Sequence, residues 1–440
     1  MTKQTYAPKM ESIRNHTAPQ WYRGAKLGIF IHWGPYSVPA YAPVTWQLGE
    51  IPIDETWFSN NPYAEWYQNS IRIGYGPTYE HHVKTYGENY PYENFTHEWK
   101  AESFDPESWA NLFKRSGAKY IVLTTKHHDG FCLWPSKHTA FNSVQRGPKR
   151  DLVGDLKKAV EDEAIKFGVY YSGLIDWSFS KDPMYTEEDT KIVVDPTYAY
   201  ADYAYQQVME LIDTYKPEIL WNDIGWPKAG ENHLPYVFSH YYNTIPTGVV
   251  NDRWNSVWWD YKTLEYKHGE VNPQEPWEMV RGLGLSFGYN RNESLDDILS
   301  GDELIDLLVK TVTNNGNLLI NIGPKGDGTI PQEQQQSLEA LGDWLDLYGE
   351  GIYDTYCTEK RSISLDGGHV LYFTHTDAYR YIFFTVQDGR KEYPLDEFYE
   401  NVEGIDPSLS FRHEHAQGVS KIIIESKSAQ ATMVGFKVPR

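Results

Sequence analysis

Several acids and imidazoles stand where an apolar run breaks off, and their types suit proton transfer and nucleophilic attack. Asp223 ends the run Glu218-Ile219-Leu220-Trp221-Asn222-Asp223. Ile and Leu are what a buried strand uses, so a carboxylate at its exit serves either as a reacting group or as a cap for the segment that follows. Arg253 and the pair His127-His128 could keep it ionised, since nearby cationic or donating groups lower a carboxyl pKa. Hydrolysis of a glycosidic bond usually needs a second, protonated carboxyl across the scissile bond. Three glutamates compete for that role: Glu265, in the loop region after the Val250 run; Glu278, in Trp277-Glu278-Met279; and Glu65, in Asn61-Pro62-Tyr63-Ala64-Glu65-Trp66-Tyr67. His127-His128-Asp129 invites a metal reading as well. Adjacent strand residues point to opposite sides, so the dipeptide does not present two imidazoles to one ion as His-x-His would, and neither a metal nor a cofactor is expected. Where the chain turns at a strand end, both rings can still reach one ligand. His81-His82 repeats the dipeptide with no buried run before it, and is expected at the surface.

These groups need a frame that gathers them on one rim. Leu27 to Ile31 delivers His32; Tyr120 to Thr125 delivers Lys126 to Asp129; Phe167 to Tyr171 delivers Ser172; Gly248 to Val250 delivers Asn251 to Arg253; Leu318 to Ile320 delivers Asn321. Short continuous apolar runs are the mark of strands buried on both faces, as in parallel sheets. Helical segments lie between them. Asp105-Pro106-Glu107 starts one and Gly117 stops it; Leu152, Val153, Leu156, Ala159 and Val160 recur at helical spacing. Tyr198 to Tyr215 is halted by Pro217, and Ser300 with Glu303 reads as a capping box. Alternating strand and helix with polar groups after nearly every strand predicts a (β/α)8-like, TIM-type barrel over residues 1–350, with a doubly wound sheet as the competitor. After the helix from Gln332 to Leu347 the pattern changes to short strands with turn signals, among them Val370 to Phe373, Tyr381 to Thr385 and Lys421 to Ile424. A small antiparallel β domain is expected over residues 351–440, packed firmly on the barrel because no Pro- or Ser-rich linker precedes it.

Composition narrows the partners. A net charge of −21 disfavours nucleic acid, whose phosphates require a basic footprint. Aromatic residues make up 15% of the chain, more than a core needs, and sugar sites use such rings against the C–H faces of pyranoses. No run of about 18 apolar residues occurs, so no membrane association is expected. Met1 to Thr17 is polar, and Cys132 and Cys357 lie far apart, which together suggest a reducing, cytoplasmic setting. A homo-oligomer is allowed on general frequency.

The ordered segments Lys26 to Gly34, Asn61 to Tyr67, Thr125 to Phe131, Leu220 to Asp223, Ser286 to Tyr289 and Asn321 to Gly328 resemble the α-L-fucosidases of glycoside hydrolase family 29, of the bacterial, broad-specificity type. The resemblance implies a retaining, metal-independent exo-hydrolase of terminal α-L-fucosides, with a C-terminal β-sandwich. It makes Asp223 the nucleophile and Glu265 the acid/base, with Glu65 proposed for that role in some relatives and read here as a hydroxyl acceptor. It places His32, His127, His128, Tyr170, Trp221 and Arg253 around the sugar and the nucleophile, and Phe30, Trp66 and Phe287 against its methyl group. A mainly transfucosylating enzyme and a silent fucose-binding protein are the alternatives.

Overall fold

The computed structural model describes residues 5–191, 197–266, 274–387, 390–416, 418–426 and 432–440. Eight parallel strands form one sheet: β1 (Leu27–Ile31), β2 (Tyr120–Lys126), β3 (Lys166–Ser172), β4 (Ile219–Asp223), β5 (Val249–Val250), β6 (Lys262–Glu265), β7 (Trp277–Gly282) and β8 (Gly316–Ile322). In the order β5-β4-β3-β2-β1-β8-β7-β6 the sheet curls until its edge strands, β5 and β6, approach each other. They are not paired as strands. Asp260 stitches them instead: its N–H donates to the Val250 carbonyl at 2.9 Å, and its carboxylate accepts from the Val250 N–H at 2.8 Å, the Tyr242 hydroxyl at 2.7 Å and the His16 ring at 2.7 Å.

Strand parity separates an inside from an outside. Phe30, Tyr120, Val122, Tyr170, Ile219, Trp221, Val249, Val280 and Leu319 share one apolar cluster that fills the lumen. Their strand neighbours Ile29, Ile31, Ile121, Leu123, Val169, Leu220 and Ile320 belong to the other cluster, packed under the helices. Helices cover only that outer face, which makes the sheet a (β/α)8-like barrel and removes the doubly wound competitor. Gly28 is required by this packing. A Cβ there would lie 2.3 Å from the ring of Tyr120, its partner across β1 and β2.

The expected helices are present as Pro106–Arg115, Leu152–Asp162, Tyr198–Tyr215, Gly301–Thr313 and Gln332–Tyr348, with Leu234–Thr244 between β4 and β5. Asp105 caps the first through the N–H groups of Glu107 and Ser108, and Ser300 with Glu303 closes the capping box. Among the described residues no helix follows β5 or β6, and none is long and apolar enough to cross a membrane.

Two expectations are corrected. Glu265 does not lie in a loop: it ends β6, which pairs with β7 from Lys262 to Glu265. His82 is not a surface residue. It is 2% exposed in the helix Pro77–Tyr86, hydrogen-bonded to the Tyr67 hydroxyl at 2.9 Å and the Tyr90 carbonyl at 2.9 Å.

The tail forms two antiparallel sheets. One orders β13 (Glu403–Gly404), β16 (Met433–Pro439), β11 (Tyr379–Thr385), β10 (His369–His375) and β9 (Tyr356–Leu365); the other orders β12 (Glu392–Pro394), β15 (Val419–Ser426) and β14 (Ser410–Ala416). Phe373, Phe384, Tyr393, Ile422 and Phe436 pack between them as a sandwich core. Trp344 of the last barrel helix donates to the Met433 carbonyl at 2.9 Å, and its ring meets Phe383, so barrel and sandwich share apolar contact.

Candidate active site

Where the lumen-facing rows of β1, β3 and β4 run out of apolar residues, their next members are polar. Phe30 is followed two positions on by His32, Tyr170 by Ser172, and Trp221 by Asp223, so each polar group stands above an aromatic one on the same face. A cavity of about 660 Å³ opens over this end of the barrel, the end at which barrel enzymes carry their reactive groups. Every residue proposed from sequence for the site lines it: Phe30, His32, Glu65, Trp66, His127, His128, Tyr170, Trp221, Asp223, Arg253, Glu265 and Phe287. Glu278, the remaining rival for the proton donor, does not. It is fully buried on β7, two residues deeper than Val280, which pairs with Glu265.

Asp223 accepts three hydrogen bonds at the rim. Its Oδ2 accepts from the Tyr170 hydroxyl at 2.7 Å; its Oδ1 accepts from Arg253 Nη1 at 2.7 Å and from the Ile224 N–H at 2.9 Å. It caps no helix. Burial alone would raise its pKa, but Arg253 and the Tyr170 hydroxyl outweigh burial and hold the carboxyl below its ordinary value. The same guanidinium reaches Glu265, with Nη2 3.0 Å from Oε2, while its Nε donates to Thr263 Oγ1 at 3.1 Å. Trp221 supports it from below, 4.7 Å from the guanidinium carbon to the ring centre. For Glu265 burial and the Asp223 charge prevail over Arg253, and its pKa is raised. One cation thus bridges two carboxyls whose environments push their pKa values apart, a separation that marks an anion and an acid.

The imidazoles are neutral hydrogen-bonding groups. Burial drives the His32 ring down to about 3 and the His128 ring to about 4, and lowers His127 strongly too. Asn321 donates its Nδ2–H to the Phe287 carbonyl at 2.7 Å, which leaves Oδ1 to accept from His32 Nδ1 at 2.7 Å. Ser172 gives its proton to the Ile175 carbonyl at 2.7 Å, so its oxygen accepts from His128 Nδ1 at 2.7 Å. Both rings therefore present an unprotonated Nε2. That of His128 stands 4.0 Å from Asp223 Oδ2, and two lone pairs at that distance do not make an ion pair. His127 and His128 sit 4.0 Å apart between ring centres and share the cavity, because β2 ends at Lys126 and the chain turns there. Among the described residues no group of three or more His, Cys, Asp or Glu could hold a metal ion.

Glu65 lies in the short 3-10 turn Ala64–Trp66 and accepts from the Gly288 N–H at 2.7 Å; burial pushes its carboxyl up to about 7. Phe30, Trp66 and Phe287 form the apolar part of the wall, with Phe287 at 5.0 Å and Phe30 at 4.6 Å from the His32 ring. Sequence reasoning did not assign site roles to Asn321 and Ser172, although both were seen to end strands. It also missed the outer wall: Leu48, Ile53, Trp57, Phe58, Leu174, Ile175, Met184 and Ile224. Trp57 and Phe58 come from the short helix Glu55–Ser59 and the others from irregular loops, segments in which no periodicity marks a buried face.

A sugar-sized cup with apolar walls, neutral hydrogen-bonding rings, one carboxyl held below its ordinary value and two raised above it, Glu265 and Glu65, is the constitution of a glycoside hydrolase site. The model of the alpha-L-fucosidase family matches residues 1–350. Among solved structures, a Thermotoga maritima alpha-L-fucosynthase in complex with alpha-L-Fuc-(1-2)-beta-L-Fuc-N3 is 47% identical, with a TM-score of 0.92, over 99% of this chain and 100% of that one. The alpha-L-fucosidase of Dictyostelium discoideum is 33% identical over 402 residues, 88% of this chain and 82% of its own length. The human tissue alpha-L-fucosidase is 36% identical over 364 residues, 79% and 72% respectively. The chain belongs to the alpha-L-fucosidase family.

Proposed function

We propose that the chain hydrolyses terminal α-L-fucosides with retention, through a covalent fucosyl-enzyme. The observation that carries this reading is the Arg253 bridge between two carboxyls, of which Asp223 is held below its ordinary value while burial raises Glu265 above its own. An Asp223 oxygen attacks the anomeric carbon as Glu265 gives its proton to the departing glycosidic oxygen. Glu265, now ionised, takes a proton from water; the water oxygen attacks the same carbon and releases Asp223. The bare Nε2 atoms of His32 and His128 accept from sugar hydroxyls, and the aromatic wall takes the C6 methyl. A Thermotoga maritima alpha-fucosidase relative, 47% identical, has been crystallised with a mechanism-based inhibitor, which supports a covalent route for this family.

The test is azide rescue with product stereochemistry. Asp223→Gly is expected to lose turnover of an aryl α-L-fucoside by about a thousandfold or more and, with azide, to form the β-fucosyl azide. Glu265→Ala with azide is expected to form the α-anomer, because azide then intercepts a fucosyl-enzyme. Wild-type-like turnover in Asp223→Gly, or one anomer from both variants, would overturn the assignment.

A further inference from the structure

Glu278 is an acid the reaction does not use, yet it sits directly beneath the site with no water access. Its Oε2 accepts from the Tyr120 hydroxyl at 2.6 Å and the Tyr22 hydroxyl at 3.1 Å; its Oε1 accepts from Trp221 Nε1 at 3.1 Å. Trp221 is the common support of the two side chains that grip Asp223, Tyr170 and Arg253. Its ring lies nearly parallel to Tyr170, 5.5 Å between centres at 20°, and carries the Arg253 guanidinium on its face. Packing against Phe30 and Tyr170 holds the indole in its rotamer, and a small tilt within that well would still shift both supports. A hydrogen bond to a buried carboxyl restrains that tilt.

We propose that Glu278 is a positioning residue for the fucosidase reaction, acting through Trp221 on the orientation of Tyr170 and Arg253 around Asp223. The inference rests on the nucleophile assignment of Asp223. It accounts for an acid buried in the barrel wall beside Asn317 and Thr263, its partners on β8 and β6, where burying a carboxyl is costly. It also accounts for the arrangement of donors: the two tyrosines hold one oxygen and leave the other to the indole.

The experiment is a double-mutant cycle on the full chain with an aryl α-L-fucoside. Glu278→Met removes the acceptor and is expected to lower kcat about tenfold with KM within about twofold. Glu278→Gln keeps an acceptor for the indole and is expected to restore kcat to within about threefold of wild type. In a Trp221→Phe background Glu278→Met is expected to cost no further kcat, although it still lowers the melting temperature because the tyrosine hydroxyls remain orphaned. If Glu278→Met does not fold, Glu278→Met with Tyr120→Phe, which deletes the hydroxyl at the 2.6 Å contact, carries the same comparison. Equal kcat losses in both backgrounds, an unchanged kcat in Glu278→Met, or failure of Glu278→Gln to restore it would each overturn the proposal. A wild-type chain without fucosidase activity would instead overturn the function on which it rests.

Discussion

The rims of β4 and β6 each end on an acid, and each turns the chain at once through a left-handed residue, Ile224 with φ 62° and Tyr266 with φ 55°. They differ in what surrounds the acid. Asp223 accepts from a phenol, a guanidinium and a backbone N–H, whereas among the described residues Glu265 accepts from the guanidinium alone. Both carboxyls are taken from water, so burial raises both; only the better-bonded one is pulled back below its ordinary value. The proposed division of labour between nucleophile and acid thus follows from donor number, and from the Asp223 charge, which itself raises Glu265. For kcat/KM it gives a bell with the acid limb below the ordinary carboxylate value, where Asp223 must be ionised, and the alkaline limb above it, where Glu265 must stay protonated.

Removing the shared cation should break the contrast most severely. Arg253→Met leaves Asp223 buried without its ionic partner, and about 3 kcal/mol of lost pairing corresponds to a fall of about a hundredfold in kcat/KM. The guanidinium lowers both carboxyls, so its loss raises both pKa values and moves both limbs of the bell to higher pH. A pH profile that keeps its acid limb would show that Arg253 does not set the Asp223 charge.

Tyr170→Phe sharpens the comparison by touching one rim only. The phenol bonds Asp223 and is not among the groups acting on Glu265, so only the acid limb should rise. Loss of one hydrogen bond to a charged acceptor, about 1.5 kcal/mol, predicts a decrease of about tenfold in kcat/KM. A matching shift of the alkaline limb would mean that the two carboxyls titrate as a pair and that the rims are not independent.

The two rims were also unequally legible in the sequence. β4 is paired on both sides and buried throughout, so it must be written in apolar residues, and the acid that ends it stands out. β6 lies at the unpaired edge, its residues half-buried or exposed, and Lys-Thr-Leu-Glu carries no apolar run to announce a strand. Its acid was identified through family resemblance rather than through its own pattern. Glu278 misled for the converse reason. A glutamate within Trp277-Glu278-Met279 reads as exposed or reactive, but three donors from the segment before β1, from β2 and from β4 make a closed site for it, and nothing local encodes them. The support of Asp260, which stitches β5 to β6, is equally nonlocal on one side, since His16 and Asp260 are 244 positions apart.

The left-handed turn after Asp223 offers the smallest and most discriminating test. A β-branched residue at φ 62° is strained by about 1–2 kcal/mol, and Gly225 could not relieve it because the strain falls one residue earlier. Ile224 also lines the cavity, and its N–H is the third donor to Asp223, so the position trades backbone strain for a wall and for nucleophile placement. Ile224→Gly removes the steric conflict at the cost of chain entropy and of the contacts Ile224 makes with the lumen cluster, terms of about 1 kcal/mol each that nearly cancel, so the melting temperature is expected to stay close to that of the wild type. The same variant should lower kcat/KM severalfold, since the wall is lost and the turn is no longer held in one conformation. Lower stability together with unchanged kcat/KM would show that the β4 turn is merely tolerated, and that the contrast between the rims lies in their donors alone.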